Sequence, residues 1–543
     1  MLLSSLVFLP VLFALIMVAW PNKATLRPLA LGLSLIQFAL SLTIFWKFDP
    51  ASSALQLVEK YPWIERFGVS YHLGIDGISI WLVILTTFLL PITILGSWTA
   101  IEDRVKGFHA SLFVLQTAMM GTFLAIDAIF FYLFWELSLV PMYFMIGIWG
   151  GTRRIYATIK FFIYTMVGSV LMLVAIIYMM FLTQEAFGTM SASLLDFYRL
   201  DIPFIGGQFF SLQTLLFFAF ALAFAIKVPV WPFHTWLPDA HVEAPTPGSV
   251  ILAGVMLKMG TYGLMRWTIP LFPEAADYWA WLFLLVAVVG IVYGALVAMV
   301  QPDIKKLVAY SSVSHMGYII LGLFAFNETG MTGGLYQMLN HGISTGALFL
   351  LVGMIYERTH SREISKYGGL AGVLPFFTIA FFIVTLSSIA VPLTNGFVGE
   401  FLILLGTFQA NPGFAYVAVS GVVLGAVYML WMFKRVFFGP QGELVKDQSH
   451  PLHDLSPREF AVLIPMGIMI FWMGLFPNHF FHWSNASIKH LVENRSNYIL
   501  TVKETPTEIQ SAALFEGEEK CTFTLDSLTF FSFHPCSPCF LRA

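Results

Sequence analysis

Four ionisable side chains stand in stretches too apolar to solvate them. Glu136 lies in FFYLFWELSLVPMYF, Lys227 in FAFALAFAIKVPVW, Lys258 in SVILAGVMLKMGTYG and Glu400 in NGFVGEFLILLG. A charged group at the centre of a membrane helix costs about 2.5 to 3.5 kcal/mol on insertion scales, so four unpaired ones would cost on the order of 10 to 14 kcal/mol. The chemistry they suit is proton transfer. Desolvation disfavours the charged form of such a group and an approaching opposite charge restores it, so a change of geometry can load or unload a proton. His315, in SSVSHMGY, and His341, in MLNHGIST, occupy two further apolar stretches, and imidazole titrates near neutrality. The blander readings are a static buried ion pair for Glu136 with Lys227, snorkelling for a lysine, and hydrogen-bonded core positions for the histidines.

The elements that must position these groups are membrane helices. Of 543 residues 58% are hydrophobic and only 11% charged, against about a quarter charged in ordinary soluble domains. Crossing a hydrocarbon core takes roughly 20 helical residues. Apolar stretches of that size fall near 3–20, 27–46, 78–100, 109–127, 129–149, 157–183, 211–231, 245–268, 279–300, 306–326, 333–356, 369–406, 413–437 and 460–482. The sequence therefore predicts an all-α polytopic membrane protein with about fourteen transmembrane helices. MLLSSLVFLP at the start has no basic n-region or clear cleavage site, so it is expected to be a retained helix.

Loop charges give the orientation, because Lys and Arg concentrate on the cytoplasmic side. Loops after odd-numbered stretches carry fifteen of them and loops after even-numbered stretches five, which puts both termini on the non-cytoplasmic side. Two stretches are interrupted alike, at Ile226-Lys227-Val228-Pro229 and Ile389-Ala390-Val391-Pro392. Proline removes the bond to the carbonyl four residues earlier, here Ala225 and Ser388. Paired broken helices point to a transporter built from inverted repeats, although each alone would also serve as a proline kink.

Other chemistries are poorly supplied. A net charge of -3 with no long basic tract disfavours nucleic acid. Cys521, Cys536 and Cys539 all lie in the last stretch of chain, so they cannot form an iron-sulfur site in the body. Cys536-Ser-Pro-Cys539 could close a small local disulfide. His234 and His241, in WPFHTWLPDAHVEAP, belong to a Pro- and Trp-rich connection that suits an interfacial plug. No phosphate-binding loop, serine elbow or metal-ligand set is placed credibly, so no metal and no cofactor is expected on this chain.

At the same residues the sequence resembles the antiporter-like membrane subunits of respiratory NADH:quinone oxidoreductase, most closely the subunit M branch, bacterial counterparts of mitochondrial chain 4. The phrases FWELSLVPMYFMIGIWGG, AIKVPVWPFHTWLPDAHVEAPTPGSVILAGVMLKMGTYG, QPDIKKLVAYSSVSHMGY, NHGISTGALFLLVGMIYERT and NGFVGEFLILLG carry the resemblance, from about residue 70 to 440. It implies three leading helices over 1–108, a first five-helix repeat over 109–268, a second, inverted one over 279–437, and a loop and last helix over 438–484. A polar, irregular tail is expected over 485–543, and after about residue 500 it departs from the family pattern. The resemblance further implies Glu136 paired with Lys227, Lys258 as a central relay, His315 and His341 as connecting groups, and Glu400 as the terminal site. Flavin, iron-sulfur clusters, NADH and quinone would be bound by partner subunits of a hetero-oligomer in the bacterial inner membrane. The nearest rival is a subunit of a multisubunit sodium/proton antiporter, against which Glu400 speaks, since that family resembles this one with Lys at the position.

Overall fold

In lipid every backbone donor and acceptor must be satisfied within its own segment, and the apolar stretches accordingly fold as helices. The computed structural model describes residues 1–208, 210–446, 452–493 and 495. Helices α1 (Leu2–Ala19) and α2 (Lys23–Leu42) open the chain. Then comes an antiparallel hairpin of β1 (Gln56–Ile64) and β2 (Val69–Ile75), in which Lys60 pairs with His72. This hairpin corrects the all-α expectation. It lies between helices where the chain turns polar, and Glu59 on β1 ties it to the start of α1 by accepting from Leu3 N at 2.9 Å.

Helices α3 (Ile80–Gly96) and α4 (Val105–Leu124) follow, then α5 (Ala128–Leu137) and α6 (Leu139–Trp149). The stretch expected as one helix over 129–149 is thus divided at Ser138. Pro141 cannot donate to the Leu137 carbonyl, and the Ser138 hydroxyl instead bonds the Trp135 carbonyl at 2.7 Å. Helix α7 (Arg154–Phe187), the short α8 (Leu194–Phe197), α9 (Leu212–Lys227) and α10 (Trp236–Glu243) lead to α11 (Thr246–Ile251) and α12 (Leu257–Gly263). The last two belong to one continuous helix, Thr246–Thr268, widened by π-helical turns at Leu252–Met256 and Leu264–Thr268. The remainder is α13 (Pro273–Met299), α14 (Ile304–Leu323), α15 (Glu328–Thr359), α16 (Pro375–Ser388), α17 (Asn395–Ala410), α18 (Pro412–Phe437), α19 (Glu443–Lys446), α20 (Pro457–Leu475) and α21 (Asn478–Phe481).

Among the described residues ten helices are long and apolar enough to cross a membrane, and α3, α9 and α16 are shorter apolar helices. The protein is a polytopic, multi-pass membrane protein. Thr246–Thr268 and the body of α15 are buried along their length, as expected of helices apolar on every side. Outer helices keep an apolar face uncovered: α7 exposes Ile155, Ile159, Ile163, Val170 and Val174. The tail, expected to be irregular from 485, continues as helix over 485–493. It is held because Ile488 is buried and Ser487 Oγ accepts from Gly77 N at 3.0 Å. The cysteine positions and the rest of the tail lie outside the described residues.

Both interruptions are real breaks, yet the first does not leave the carbonyl predicted from Pro229 free. Ala225 O accepts from Val230 N at 2.7 Å, because the chain turns back on itself there, and Ile226 O accepts from Trp236 Nε1 at 2.8 Å. The second break passes through two left-handed residues, Ala390 at φ 56° and Leu393 at φ 76°. Such conformations are disfavoured for residues with a Cβ and cluster at functional sites. Gly474 of α20 makes room, since a Cβ there would lie 2.2 Å from Leu393 O.

Candidate functional site

Four of the six groups, Glu136, Lys227, Lys258 and Glu400, sit beside a helix irregularity, while His315 and His341 stand in the regular helices α14 and α15. Lys227 ends α9 at the first break and is 1% exposed. Its ammonium donates to Ser138 Oγ at 3.0 Å and stands 5.0 Å from the Trp135 ring centre. Glu136, two residues before Ser138 on α5, is half-buried beside Tyr132, and its Oε1 has no hydrogen-bond partner. The expected Glu136–Lys227 pair is therefore open. At the α5–α6 division the Ser138 hydroxyl, and not the carboxylate, bonds the ammonium.

Lys258 is wholly buried in the middle of Thr246–Thr268. A π turn widens the helix around Ala253, and the Lys258 ammonium reaches back to the Ala253 carbonyl. It also donates to His341 Nδ1 at 2.7 Å. With Nδ1 accepting, a neutral His341 carries its proton on Nε2. The His341 and His315 ring centres are 5.9 Å apart at 61°, and neither Nε2 has a protein partner. His315 Nδ1 in turn bonds Glu400 Oε1 at 3.0 Å, which leaves its Nε2 as acceptor when neutral. With Lys258 charged and Glu400 ionised, the outer bonds set a donor on His341 against an acceptor on His315 across the gap. The order along the line is Lys258, His341, His315, Glu400, with His341 before His315.

Glu400 is 4% exposed on α17 just after the second break. Gln337 Nε2 donates to the same Oε1 at 3.1 Å, and Asn340 Nδ2 donates to Gln337 Oε1 at 2.9 Å. Gly399 permits this, because a Cβ there would come within 2.3 Å of Gln337 Oε1. Between His315, His341, Asn340, Ser388 and Glu400 lies a polar cavity of about 10 Å³, close to the space one water molecule needs. Ser388 Oγ and Asn340 Oδ1 face it without protein partners.

Lys258, His315 and His341 each lie near the middle of their helices, and Glu400, in the first half of α17, is held level with them by its bond to His315. The group therefore forms a row at one depth, joined by direct bonds at its two ends and by a short polar gap between the histidines. Such a row can pass a proton sideways through the interior.

Two further groups are buried where the sequence placed them at the surface, His241 in an interfacial plug and Lys305 in a loop. His241 is fully buried, stacked on Phe349 with ring centres 4.7 Å apart, and neither ring nitrogen is partnered. Lys305, placed in a loop by the sequence, is 6% exposed and donates to Ala244 O at 2.6 Å. The signal available for both was proximity to the first proline-rich break, which packs against the start of α14. A buried charge pair, Arg266 with Asp76, closes the other end of Thr246–Thr268. Among the described residues no cluster of His, Cys, Asp and Glu is arranged to hold a metal ion.

Comparison with known proteins bears on about nine-tenths of the chain, 91% of it in the matches with a solved structure and a relative. The family described as NADH:quinone oxidoreductase/Mrp antiporter, TM, matches residues 125–425, and NADH-ubiquinone oxidoreductase chain 4, amino terminus, matches residues 5–126. The chain is 47% identical over 503 residues to NADH-quinone oxidoreductase subunit M of Rhodobacter capsulatus, covering 91% of this chain and 96% of that one. Among solved structures it is similar to a chain of respiratory complex I from Thermus thermophilus with bound NADH, with a TM-score of 0.81 and 30% identity, covering 91% and 100% of the two chains. A chain of the Mrp complex from a Dietzia species shares the fold, with a TM-score of 0.78 at 22% identity over 91% and 98% of the chains. Buried charges on broken helices, a chain-long match and a shared fold agree: this chain belongs to the NADH:quinone oxidoreductase/Mrp antiporter membrane family, in its subunit M, or chain 4, branch.

Proposed function

We propose that this chain is a proton-translocating membrane-arm subunit of an NADH:quinone oxidoreductase. It would sit in a bacterial inner membrane with both termini on the non-cytoplasmic side, and cross the bilayer fourteen times. Spans four to eight and nine to thirteen would form two inverted repeats. The observation that carries the reading is the row Lys258–His341–His315–Glu400, buried in a membrane protein and ending at Glu400 just after the second helix break. NADH, flavin, iron-sulfur clusters and quinone belong on partner subunits, and this chain couples to them through its charges.

In this reading Lys227 keeps its proton while Glu136 is close and yields it towards Lys258 when the two separate. The conformation described above, with Lys227 on Ser138 and Glu136 apart, corresponds to the separated state. Lys258 passes its own proton on through His341 and His315 to Glu400, from which it leaves to the outside, and then takes up the one from Lys227. These groups titrate as a coupled set.

The second reading, a sodium/proton antiporter subunit, shares the fold with the Mrp complex, so the fold does not separate the two. Glu400 and the identity to subunit M favour the oxidoreductase. The test is to tag the chain and purify it in mild detergent. Co-purifying flavin and iron-sulfur absorbance with inhibitor-sensitive NADH:quinone activity is expected. A colourless preparation that exchanges sodium for protons in liposomes would overturn the assignment in favour of the antiporter.

A further inference from the structure

Gln116 and Thr117 stand together near the middle of α4, 0% and 1% exposed. Gln116 Oε1, Gln116 Nε2 and Thr117 Oγ1 have no hydrogen-bond partner in the protein. Buried polar groups are otherwise almost all bonded, to protein or to ordered water, and three orphan atoms on adjacent residues of one span mark a place where something polar belongs.

Their position follows from register. Trp149 at the end of α6 bonds Asp103 O just before α4, at 2.8 Å, and Gly151 N bonds Glu243 O just before α11, at 2.9 Å. Helix α4 and the helix Thr246–Thr268 therefore start from the same face of the protein and run in the same direction, while α5–α6 runs against them. Tyr262 OH donates to Phe123 O at 3.1 Å. Gln116 is seven residues before Phe123, which the helical repeat places on the same face two turns back, about 10.5 Å. The Lys258 ammonium is drawn back in the same direction by its bond to Ala253 O. Gln116 thus lies on the face of α4 that meets the Lys258 helix, at the depth of the ammonium.

The adjacent residue serves the other side. Gly121 receives the Phe134 ring so closely that a Cβ would lie 2.2 Å from it. Thr117 is one turn before Gly121 and Ser138 one turn after Phe134 on the antiparallel helix, so they share a depth. Ser138 is the residue that holds Lys227.

We propose that Gln116 and Thr117 form a hydrated bridge in α4 that carries the proton from Lys227 to Lys258. The inference rests on the relay reading above. Lys258 first passes its own proton on through His341 and is left a neutral amine; one Nζ–H bond then breaks at Lys227 and one forms at Lys258, with the positive charge moving across. Water ordered by the amide and the hydroxyl conveys the proton, and neither residue changes its own charge. They act as positioning residues.

The assembled oxidoreductase in membrane vesicles tests this. Gln116→Met, an apolar side chain of similar length, should lower NADH-driven proton translocation on the order of tenfold and raise the solvent deuterium isotope effect, which a purely structural role would not move. Wild-type pumping with an unchanged isotope effect in Gln116→Met and in Thr117→Val, while Lys227→Met fails to pump, would overturn the bridge and leave the relay standing. Wild-type pumping in Lys227→Met would remove the relay and the bridge with it. A water-resolving map of the unmodified complex gives a reading independent of variant folding. Water within hydrogen-bond distance of both Gln116 and Thr117 is expected, and a dry interface, or a Gln116 amide bonded to protein, overturns the proposal.

Discussion

The Lys227 ammonium has one hydroxyl and an aromatic face for company, with its expected carboxylate partner displaced. A lysine held this loosely in the interior can release its proton, whereas a tight ion pair would retain it. Lys227→Met and Glu136→Gln should each reduce NADH-driven proton translocation about tenfold or more with assembly retained, measured as acidification of inverted vesicles alongside the amount of assembled complex. Normal pumping in both variants would sink the coupling. His341→Leu is harsher. It leaves the Lys258 ammonium with the Ala253 carbonyl alone, and removing one hydrogen-bond partner from a buried polar group costs about 1 to 3 kcal/mol. Loss of both pumping and thermal stability in detergent is expected, and a variant of unchanged melting temperature would mean that Lys258 is not charged there. The type of each relay residue was legible in the sequence, because a charge flanked by apolar residues is conspicuous. The order His341 then His315, the part played by Ser138 and the orphaned Gln116 were not, because they depend on which helix face meets which neighbour.

At the level of helices, irregularities and relay groups coincide: the α5–α6 division at Ser138, the break after α9, the π turn beside Ala253 and the left-handed residues before α17. The proline breaks could be read directly, since proline removes a donor wherever it stands. The π turns could not, for no residue type compels them. The β-hairpin was missed because length and apolarity reveal spans and say little about a short polar connection. Packing around these irregularities leaves little slack. Gly399→Ala should push Gln337 away from Glu400 and destabilise by about 1 to 3 kcal/mol, as overpacked positions do. A lower melting temperature and slower pumping are expected relative to Gly425→Ala, whose Cβ meets nothing within 4 Å. Equal behaviour of the two alanine variants would show that the Gln337–Glu400 contact is dispensable.

Across the whole molecule, the part outside the spans has its own pH dependence. His72 on β2 is pushed down to about 4 by burial and by the Lys60 charge paired across the hairpin, with Asp196 acting weakly the other way. Its folded value lies below the unfolded 6.5. The unfolded chain therefore binds the extra proton first as pH falls, and the stability present above 6.5 is lost towards 4. The melting temperature in detergent should decline between about pH 7 and pH 4.5, and His72→Leu should flatten that slope; an unaltered slope would place the titration elsewhere. The row from Lys258 to Glu400 has a different relation to its surroundings. Its members share one depth, so a charge passing along it travels perpendicular to the membrane's electric field and does almost no electrical work. A charge crossing the full potential costs about 2.3 kcal/mol per 100 mV, and that load must fall on the steps that bring a proton down to the row from one face and up from it to the other. Transmembrane voltage should therefore slow loading and release while leaving the lateral transfer insensitive to it.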